Sequence, residues 1–380
     1  MKVLIVTDDY PSAKDYYANE FVHERVAAYA KIDDWGIMVA NLKERQKEPF
    51  MYVHQGIDVK VMRPDQSKEL LDEFQPDIIC IHFFKGSLLK WLLPYTKLPI
   101  VVWVHGYEAL GWWRRLYDLR LPVVKEFLRH IYRNTVQMIR FRKLMRISNE
   151  NERISFVFVS RWMKEIAEAD TLTKAKHFQI IANPINLELF QFRQKDPEMR
   201  KKILLIRPFN SRKYANDIAV KAILHLSSHP IFNDLEFEIY GDGRYFDGLA
   251  APLYKFSNVK VNKRFVQHDH LPEVFHQHGI FLCPTRQDSQ GVSMCEAMAC
   301  GLVPLTSHNT AIPEFVQDQH AGFLTRSAAE LAERIVYLYE NPARFLAMSA
   351  NAASTMQQLC DKKKIIAREI EYIKAQAERA

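Results

Sequence analysis

The chain has 380 residues and a net charge of +7, and 48% of its residues are hydrophobic while 26% are charged. This length favours two domains, because one hydrophobic core stops growing at roughly 250–300 residues. No run of 18 apolar residues occurs, so a membrane-spanning helix is not expected. The positive charge permits an anionic partner such as a nucleotide, a nucleic acid or a membrane surface, without choosing among them.

The cysteines and the N-terminus favour a cytoplasmic protein. The five cysteines are odd in number and lack CxxC spacing, which predicts free thiols in a reducing compartment. The opening stretch MKVLIVTDDYP has only four apolar residues in a row, so it predicts a first strand and not a signal peptide. Four histidines lie within residues 268–278, but their flanks favour a strand–loop–helix joint over a metal site.

Apolar runs of strand length recur along the whole chain and alternate with helical patterns. Several are apolar throughout, as parallel strands buried on both faces should be. The runs predict twelve strands, at residues 3–6, 36–40, 57–62, 77–83, 99–105, 155–160, 178–183, 202–209, 236–241, 258–264, 279–284 and 302–307. Because twelve strands are many for one sheet, we predict an α/β protein of two doubly wound domains.

The domain boundary is predicted in ANPINLELF, where a strand ends and Asn-Pro marks a turn. The first domain then comprises residues 1–182, and the second comprises residues 183–361. The last stretch, about 362–380, has the pattern of an amphipathic helix.

One basic segment interrupts the alternation. Residues 111–150 contain ten Lys or Arg against three acidic residues, with six aromatic residues interleaved. Such a pattern, over about 111–146, is typical of an interfacial helix on an anionic membrane, and it also fits a crossover helix with a solvated charged face. The pair Trp112-Trp113 followed by two arginines favours the membrane, because indoles and arginines suit the headgroup zone.

The loop after FLCP has the composition of a phosphate-binding turn. Gly291 allows close backbone approach to a ligand, and a helix follows it, so the amides of Gly291, Val292 and Ser293 should point outward unpaired and attract a phosphate. Glu296, about one turn into this helix, could accept hydrogen bonds from ribose hydroxyls, and Asp288 from another hydroxyl-rich group. A structural loop with a surface Asp and a capping Glu is the alternative.

The neighbours of this loop resemble GT-B glycosyltransferases of the retaining family 4. The family pattern is E-x7-E, then EAMACG and IPE; this chain has Asp288, an EAMACG segment that begins at Glu296, and Ile312-Pro-Glu314. The resemblance is specific over roughly residues 180–325. Asp288 replaces the usual first Glu and is one methylene shorter, so the donor sugar stays open.

The same resemblance assigns further donor-site residues. Family members carry an Arg and a Lys after the first strand of the second domain, which implies that Arg207 and Lys213 grip the donor diphosphate, with Arg212 as the alternative to the lysine. Gly241 matches the strand-to-glycine turn, and Phe265 is placed near the base.

In the first half, VVWVHGYE resembles the family's strand end, which implies that His105 lies beside the reacting sugar. A strand-terminal histidine with a structural role is the alternative. The stretch from residue 10 to residue 21 corresponds to the acceptor-side loop. The acceptor-side residues are Tyr10, Asn19, Phe21, Glu108 and Ser160.

The resemblance implies two Rossmann-like domains facing across a cleft, with the last helix crossing back to the first domain. The first domain would bind a saccharide or lipid-linked saccharide acceptor, and the second a nucleotide-sugar. The expected activity is a retaining glycosyltransferase of the hexosyltransferase class, without metal or cofactor, in bacterial cell-surface polysaccharide synthesis, cytoplasmic or peripheral on the inner membrane face. The alternatives are a GT-B nucleotide-sugar epimerase or hydrolase, and a non-catalytic module for RNA or another anionic ligand; no nucleic acid is expected.

Overall fold

The structure, a computed structural model, describes residues 1–12, 19–118 and 124–379. The chain forms two compact units, residues 1–183 with 363–380, and residues 184–362. Each unit has its own parallel sheet and its own buried apolar core. Residues 119–123 of the predicted basic helix and residues 13–18 of the predicted acceptor-side loop lie outside the described part of the chain.

The first unit is built on an eight-stranded sheet. Its strands are β1 (Lys2–Thr7), β2 (Gly36–Leu42), β3 (Phe50–His54), β4 (Ile57–Met62), β5 (Ile78–His82), β6 (Ile100–Val104), β7 (Ile154–Phe158) and β8 (Phe178–Ile180). They lie in the order β3-β4-β2-β1-β5-β6-β7-β8, and every pair is parallel except β3 with β4. The direction of strand addition therefore reverses between β1 and β5.

The second unit is built on a six-stranded parallel sheet. Its strands are β9 (Lys202–Ile206), β10 (Glu236–Gly241), β11 (Val259–Lys263), β12 (Ile280–Leu282), β13 (Val303–Ser307) and β14 (Phe323–Thr325). Their order is β11-β10-β9-β12-β13-β14. Here the direction reverses between β9 and β12.

Helices cover both sheets. The α-helices are α1 (Glu20–Tyr29), α2 (Ser67–Phe74), α3 (Leu88–Trp91), α4 (Val124–Glu150), α5 (Arg161–Thr171), α6 (Asn216–Leu226), α7 (Phe246–Ala250), α8 (Leu271–His276), α9 (Val292–Ala299), α10 (Ala328–Glu340), α11 (Pro342–Leu359) and α12 (Lys362–Ala377). Short 3-10 turns span Pro64–Gln66, Leu93–Tyr95, Tyr107–Ala109, Trp112–Asp118, Pro197–Lys201, Arg212–Tyr214, Pro230–Asp234, Ala251–Leu253, His268–His270 and Ile312–Glu314.

The first sheet is buried on both faces. Apolar residues of α2, α3, α4 and α5 pack on one face, and those of α1 and α12 pack on the other. This two-sided burial explains why β1, β5, β6 and β7 are nearly continuous apolar runs in the sequence. Among the described residues, no helix is both long enough and apolar enough to span a bilayer.

The predicted α/β fold of two Rossmann-like domains is confirmed, and each of the twelve predicted strands is present. The prediction missed β3 and β14. Strand β3 is an antiparallel edge strand with exposed apolar side chains, joined to β4 through Gln55 and Gly56, which both have positive φ. Strand β14 is only three residues long, too short for a periodic signal.

Candidate active site

The predicted donor residues meet at the point where the second sheet reverses its strand order. Arg207 directly follows β9, and Asp288 lies in the loop after β12, the adjacent strand. Loops at the carboxyl ends of two such strands diverge and leave a crevice, which is where open α/β sheets bind ligands. The sheet order thus brings together two residues that are 81 positions apart.

Arg207 is held rigidly at this edge. Its side chain is buried, its Nη2 donates to the Cys283 carbonyl at 3.4 Å, and its Nη1 lies 3.8 Å from Oδ2 of Asp288. Within the described chain its Nε has no hydrogen-bond partner. Leaving a buried donor unpaired costs about 1–3 kcal/mol or more, so the guanidinium favours an additional anionic acceptor.

Asp288 closes the turn that precedes α9. Its Oδ1 accepts hydrogen bonds from the amides of Gly291, at 2.8 Å, and Gln290, at 3.3 Å. The expectation that the Gly291 amide is unpaired is therefore wrong, because the preceding carboxylate already binds it. The amides of Val292 and Ser293 lie in the first turn of α9, where the helix supplies no acceptor, so the anion-binding capacity of this terminus rests on them.

Gly291 itself is required by the backbone. It has φ 82° and ψ 57° in the left-handed region, and its α-carbon faces Ile312, whose Cδ1 would lie 3.2 Å from an added Cβ. A side chain here would be strained, which explains the lone glycine of the loop.

Glu296 is paired with a histidine that the sequence reasoning did not connect to it. The carboxylate is buried in α9, and its Oε1 lies 2.8 Å from Nε2 of His268. The edge of the imidazole packs against Phe190, with ring centroids 5.2 Å apart. No local signal could have found this pair, because the two residues are 28 positions apart and on different elements.

The two candidate cations after β9 have different contacts: Arg212 lies near a carboxylate, and Lys213 does not. Arg212 has its Nη2 3.5 Å from Oδ2 of Asp217, and Arg286 makes two 2.7 Å contacts with the same carboxylate. Lys213 makes no ion pair with any described residue, and its ammonium lies 4.7 Å from the centre of the Tyr214 ring. Lys213 is therefore the cation that keeps its charge available.

The glycine turn after β10 packs directly on the Arg207 segment. Gly241 has φ 155°, and a Cβ built there would lie 2.2 Å from the Arg207 carbonyl oxygen. Phe265 lies just beyond β11 and is 60% exposed, so its ring is available for stacking.

His105 lies at the end of β6 in a buried aromatic cluster. Its Nε2 is 3.0 Å from Nδ1 of His82, and its ring contacts Phe21 and Phe83 with centroids 5.1 and 4.7 Å apart. Burial, and secondarily the Arg25 charge, holds the pKa of His105 well below its usual value. The imidazole is therefore neutral near pH 7.

Glu108 fixes the loop that carries His105. Its carboxylate accepts the backbone amides of His105 and Gly106, and it is fully buried. Burial raises the pKa of Glu108 to about 7, although the backbone hydrogen bonds oppose this shift. Glu108 thus acts on His105 through the backbone.

The other predicted acceptor-side residues have structural partners. Tyr10 is buried, and its hydroxyl lies 2.7 Å from Nδ1 of His23. Asn19 donates to the Asp9 carbonyl at 3.1 Å, and the Ser160 hydroxyl accepts from Met163 as the N-cap of α5. Of this set, Phe21 contacts the His105 ring.

Metal ligation has no geometric basis among the described residues, where no three His, Cys, Asp or Glu side chains are grouped closely enough to hold an ion. In the predicted histidine-rich joint, His268 contacts Glu296, and Nε2 of His278 lies 3.2 Å from a Glu238 oxygen.

Part of the chain matches a known protein family, and the whole chain is similar to solved structures. Residues 200–341 match the family model described as "Glycosyl transferases group 1". No curated protein sequence matches the chain. Among solved structures, sucrose-phosphate synthase from Thermosynechococcus elongatus is similar with a TM-score of 0.76 at 15% identity, covering 100% of both chains.

Two further structures are similar over nearly their whole length. HepE from Anabaena, solved in complex with UDP-glucose, has a TM-score of 0.71 at 14% identity, covering 99% of this chain and 100% of its own. A glycosyltransferase from Rickettsia africae has a TM-score of 0.69 at 14% identity, covering 100% of this chain and 99% of its own. The chain has the GT-B fold. The family match, which includes Arg207, Asp288 and Glu296, supports a glycosyltransferase.

Proposed function

We propose that the chain is a metal-independent, retaining glycosyltransferase of family 4 that transfers a sugar from a nucleotide-sugar to a saccharide or lipid-linked saccharide. The observation that carries the proposal is the cluster at the strand-order reversal of the second sheet. There, the buried Arg207, the turn closed by Asp288 and the N-terminus of α9 converge within the region that matches group 1 glycosyltransferases.

Each residue has a role that follows from its chemistry. Arg207 and Lys213 stabilise the charge that develops on the departing diphosphate, together with the first amides of α9. Glu296 accepts hydrogen bonds from the ribose after exchanging His268 for the hydroxyls, and Asp288 orients the transferred sugar. In the first unit, which binds the acceptor, a neutral His105 hydrogen-bonds the reacting sugar.

The donor is proposed to be a UDP-sugar, because HepE is solved with UDP and with UDP-glucose. A donor screen tests this: thermal shift with a panel of nucleoside diphosphates and nucleotide-sugars, followed by release of the diphosphate in the presence of a chelator. We expect the nucleotides that carry one particular base to raise the melting temperature of the protein. We also expect turnover to persist when a chelator removes free metal. A panel that leaves the melting temperature unchanged throughout would contradict the proposal.

The catalytic assignment has its own test. Arg207→Gln and Lys213→Ala should lower turnover by two orders of magnitude or more while the unfolding transition stays cooperative, because each removes charge from the leaving group. Lys221→Ala, on α6 and outside the site, is the matched control. Equal turnover in all three variants would refute the site.

We also propose that the acceptor is presented at an anionic membrane, on the inner face of a bacterial envelope, for cell-surface polysaccharide synthesis. Helix α4 exposes an apolar stripe, Val124, Leu128, Tyr132 and Ile139, at intervals of four, four and seven residues. Lys125, Arg129 and Lys143 flank it, as an interfacial helix requires.

Liposome sedimentation tests the membrane proposal. Binding to vesicles that contain anionic lipid should exceed binding to neutral vesicles and fall with added salt. Leu128→Ser combined with Ile139→Ser should reduce binding, whereas Leu359→Ser, another exposed leucine in the second unit, should not. No binding at low salt would eliminate the membrane role.

A further inference from the structure

A large cavity lies in the first unit, at the carboxyl ends of its strands. It has a volume of about 1000 Å³ and lies between the loops after β1, β2, β5 and β6 and one side of α4. Its charged lining is predominantly basic: Lys43, Arg45, Lys85, Arg133 and Arg140, against Asp8, Asp9 and Glu44. The volume is at the upper end of what small-molecule sites offer, so a sugar with a charged substituent fits.

Two of the three acidic residues of the lining are paired with lysines of the same lining. Asp9 pairs with Lys43 at 2.7 Å, and Asp8 accepts from the Tyr107 hydroxyl at 3.0 Å and lies 3.5 Å from Lys85. Among the remaining charged lining residues, Arg45, Arg133 and Arg140 outnumber Glu44, so the cavity keeps a net positive charge.

Arg133 and Arg140 make no ion pair with any residue in the described ranges. They lie seven positions apart on α4, which places them on one side of the helix two turns from each other. Because both arginines also line the cavity, two guanidinium-bearing side chains border one volume, an arrangement that suits an anion with several oxygens.

Hydrogen bonds join this side of α4 to the loop after β5. Between the two arginines, Gln137 accepts from the Gly86 amide at 2.9 Å and donates to the Phe84 carbonyl at 2.8 Å. The Arg140 stem then lies across Gly86, where an added Cβ would be 2.2 Å from Cδ of the arginine. A glycine at this position allows the close approach, so the charged side of α4 is pre-organised at the sheet edge.

The cavity adjoins the segments that surround His105. Tyr107, which lines it, is two residues beyond His105, and Lys85 is two residues beyond Phe83, whose ring packs on that histidine. An anion bound by α4 would therefore lie beside the part of the first unit that is assigned to the reacting sugar.

We propose that this cavity is the subsite for a phosphate group carried by the acceptor, with Arg133 and Arg140 as its ligands. The inference rests on the proposed transferase function, because it specifies the chemical class of the acceptor. Two arginines on one side of a helix, one of them with its stem packed on Gly86, can bind phosphate by multiple charge-assisted hydrogen bonds, and a neutral saccharide would leave both charges unused.

Calorimetric titration with inorganic phosphate tests the subsite. The titration is made with the nucleoside diphosphate from the donor screen at saturation, so that the donor site cannot contribute. We expect wild-type protein to bind phosphate, and Arg133→Gln combined with Arg140→Gln to weaken binding at least tenfold. Arg146→Gln, an exposed arginine of α4 outside the cavity, should bind as the wild type does.

A third variant tests the phosphate subsite without removing a positive charge. Gly86→Ala keeps both arginines but forces the Arg140 stem away, so phosphate affinity should fall while the net charge is constant. Equal phosphate affinity in the wild type and the double variant, or no phosphate binding by the wild type, would overturn the inference. Nucleoside diphosphate binding is measured separately. A loss of phosphate binding would therefore contradict the subsite without contradicting the proposed transferase function, and a loss of nucleotide binding would contradict the transferase function without contradicting the subsite.

The source of the phosphate is distinguished by a second probe. Dihexanoyl phosphatidic acid, kept below its micelle concentration, offers the same phosphate on a lipid. Competition between this probe and inorganic phosphate supports the subsite for a lipid-linked acceptor, and binding of inorganic phosphate alone supports it for a soluble phosphorylated sugar.

Discussion

The pairing of Glu296 with His268 has a consequence for the ribose binding proposed for this carboxylate. A ligand hydroxyl must replace the imidazole at a buried carboxylate, so the hydrogen bonds gained by the ribose are partly offset by the one that is lost. The pair also keeps the carboxylate satisfied before the donor arrives, because an unpaired buried charge would be costly.

Glu296→Ala should raise the Kd for the nucleoside diphosphate about 10- to 100-fold, because hydrogen bonds to a charged group contribute about 1.5–3 kcal/mol. Calorimetry with the nucleotide from the donor screen measures this change. The control is Glu273→Ala, an exposed residue on α8. Wild-type affinity in Glu296→Ala would count against the ribose role.

Glu108 should make the stability of the first unit depend on pH. Its pKa is raised from 4.5 to about 7 in the folded protein, so the folded state holds the proton more tightly than the unfolded chain. The resulting stabilisation is present below about pH 4.5 and is lost as pH rises through about 7; it is on the order of 3 kcal/mol.

Glu108→Gln should remove this pH dependence, because the amide cannot ionise. Urea unfolding at pH 5 and pH 8 measures it: the wild type should lose more stability between the two values than the variant does. A loss of the same size in both proteins would show that Glu108 does not titrate in this range.

At the scale of elements, the proposed donor site depends on how closely the end of β10 approaches the segment after β9. Gly241→Ala would place a methyl group 2.2 Å from a backbone oxygen that cannot rotate away. We expect about 2 to 3 kcal/mol of destabilisation and weaker nucleotide binding, as Arg207 is displaced with its backbone.

Gly248→Ala is the matched control for this prediction. Gly248 lies in α7, and no atom would lie within 4 Å of its added Cβ, so the substitution should stabilise the protein by up to roughly 1 kcal/mol. Urea unfolding compares the two variants, and effects of the same sign would contradict the packing argument.

Helix α4 serves different purposes on different sides. Its buried residues, including Phe141 and Leu144, complete the core of the first unit. Its exposed residues include the apolar stripe proposed for the membrane as well as Arg133 and Arg140 of the basic cavity, and Tyr132 of the stripe also lines that cavity. A crossover helix and an interfacial helix are therefore compatible descriptions of α4, because its buried residues can pack on the core while its exposed residues contact a membrane.

At the scale of the whole molecule, a buried ion pair joins the two ends of the chain. Arg25 of α1 contacts Glu369 of α12 at 2.9 Å, and both side chains are fully buried. Arg25 also donates to Asn183 at 2.8 Å, and Tyr29 donates to Glu369 at 2.5 Å. This network attaches the last helix to the rest of the first unit. It includes Asn183, the last residue before the chain enters the second unit, and α12, with which the chain returns.

Glu369→Ala should destabilise the first unit by about 3–5 kcal/mol, because it leaves the Arg25 charge buried and uncompensated. Glu371→Ala, exposed on the same helix, should change stability by less than about 0.5 kcal/mol. Replacing both partners, as in Arg25→Met with Glu369→Leu, should cost less than Glu369→Ala alone, and urea unfolding checks the ranking. A larger loss in the double variant would show that the pair itself stabilises the fold.

The sequence by itself determined twelve of the fourteen strands in the described residues and the two-domain α/β fold. Parallel strands covered on both faces must be apolar along their whole length, so runs such as IVVWV and KILLI are visible without any tertiary information. The exposed edge strand β3 has no such requirement, which is why its pattern escaped prediction.

Only the tertiary structure decided which side chains are partners. The sheet order brings Arg207 to Asp288, a 3-10 turn brings His268 to Glu296, and chain closure brings Arg25 to Glu369. Each contact joins residues far apart in sequence, whereas local periodicity reports only the environment of an element. The sequence could therefore place the predicted donor loop after β12, but only the structure showed that Asp288 already accepts a hydrogen bond from the Gly291 amide.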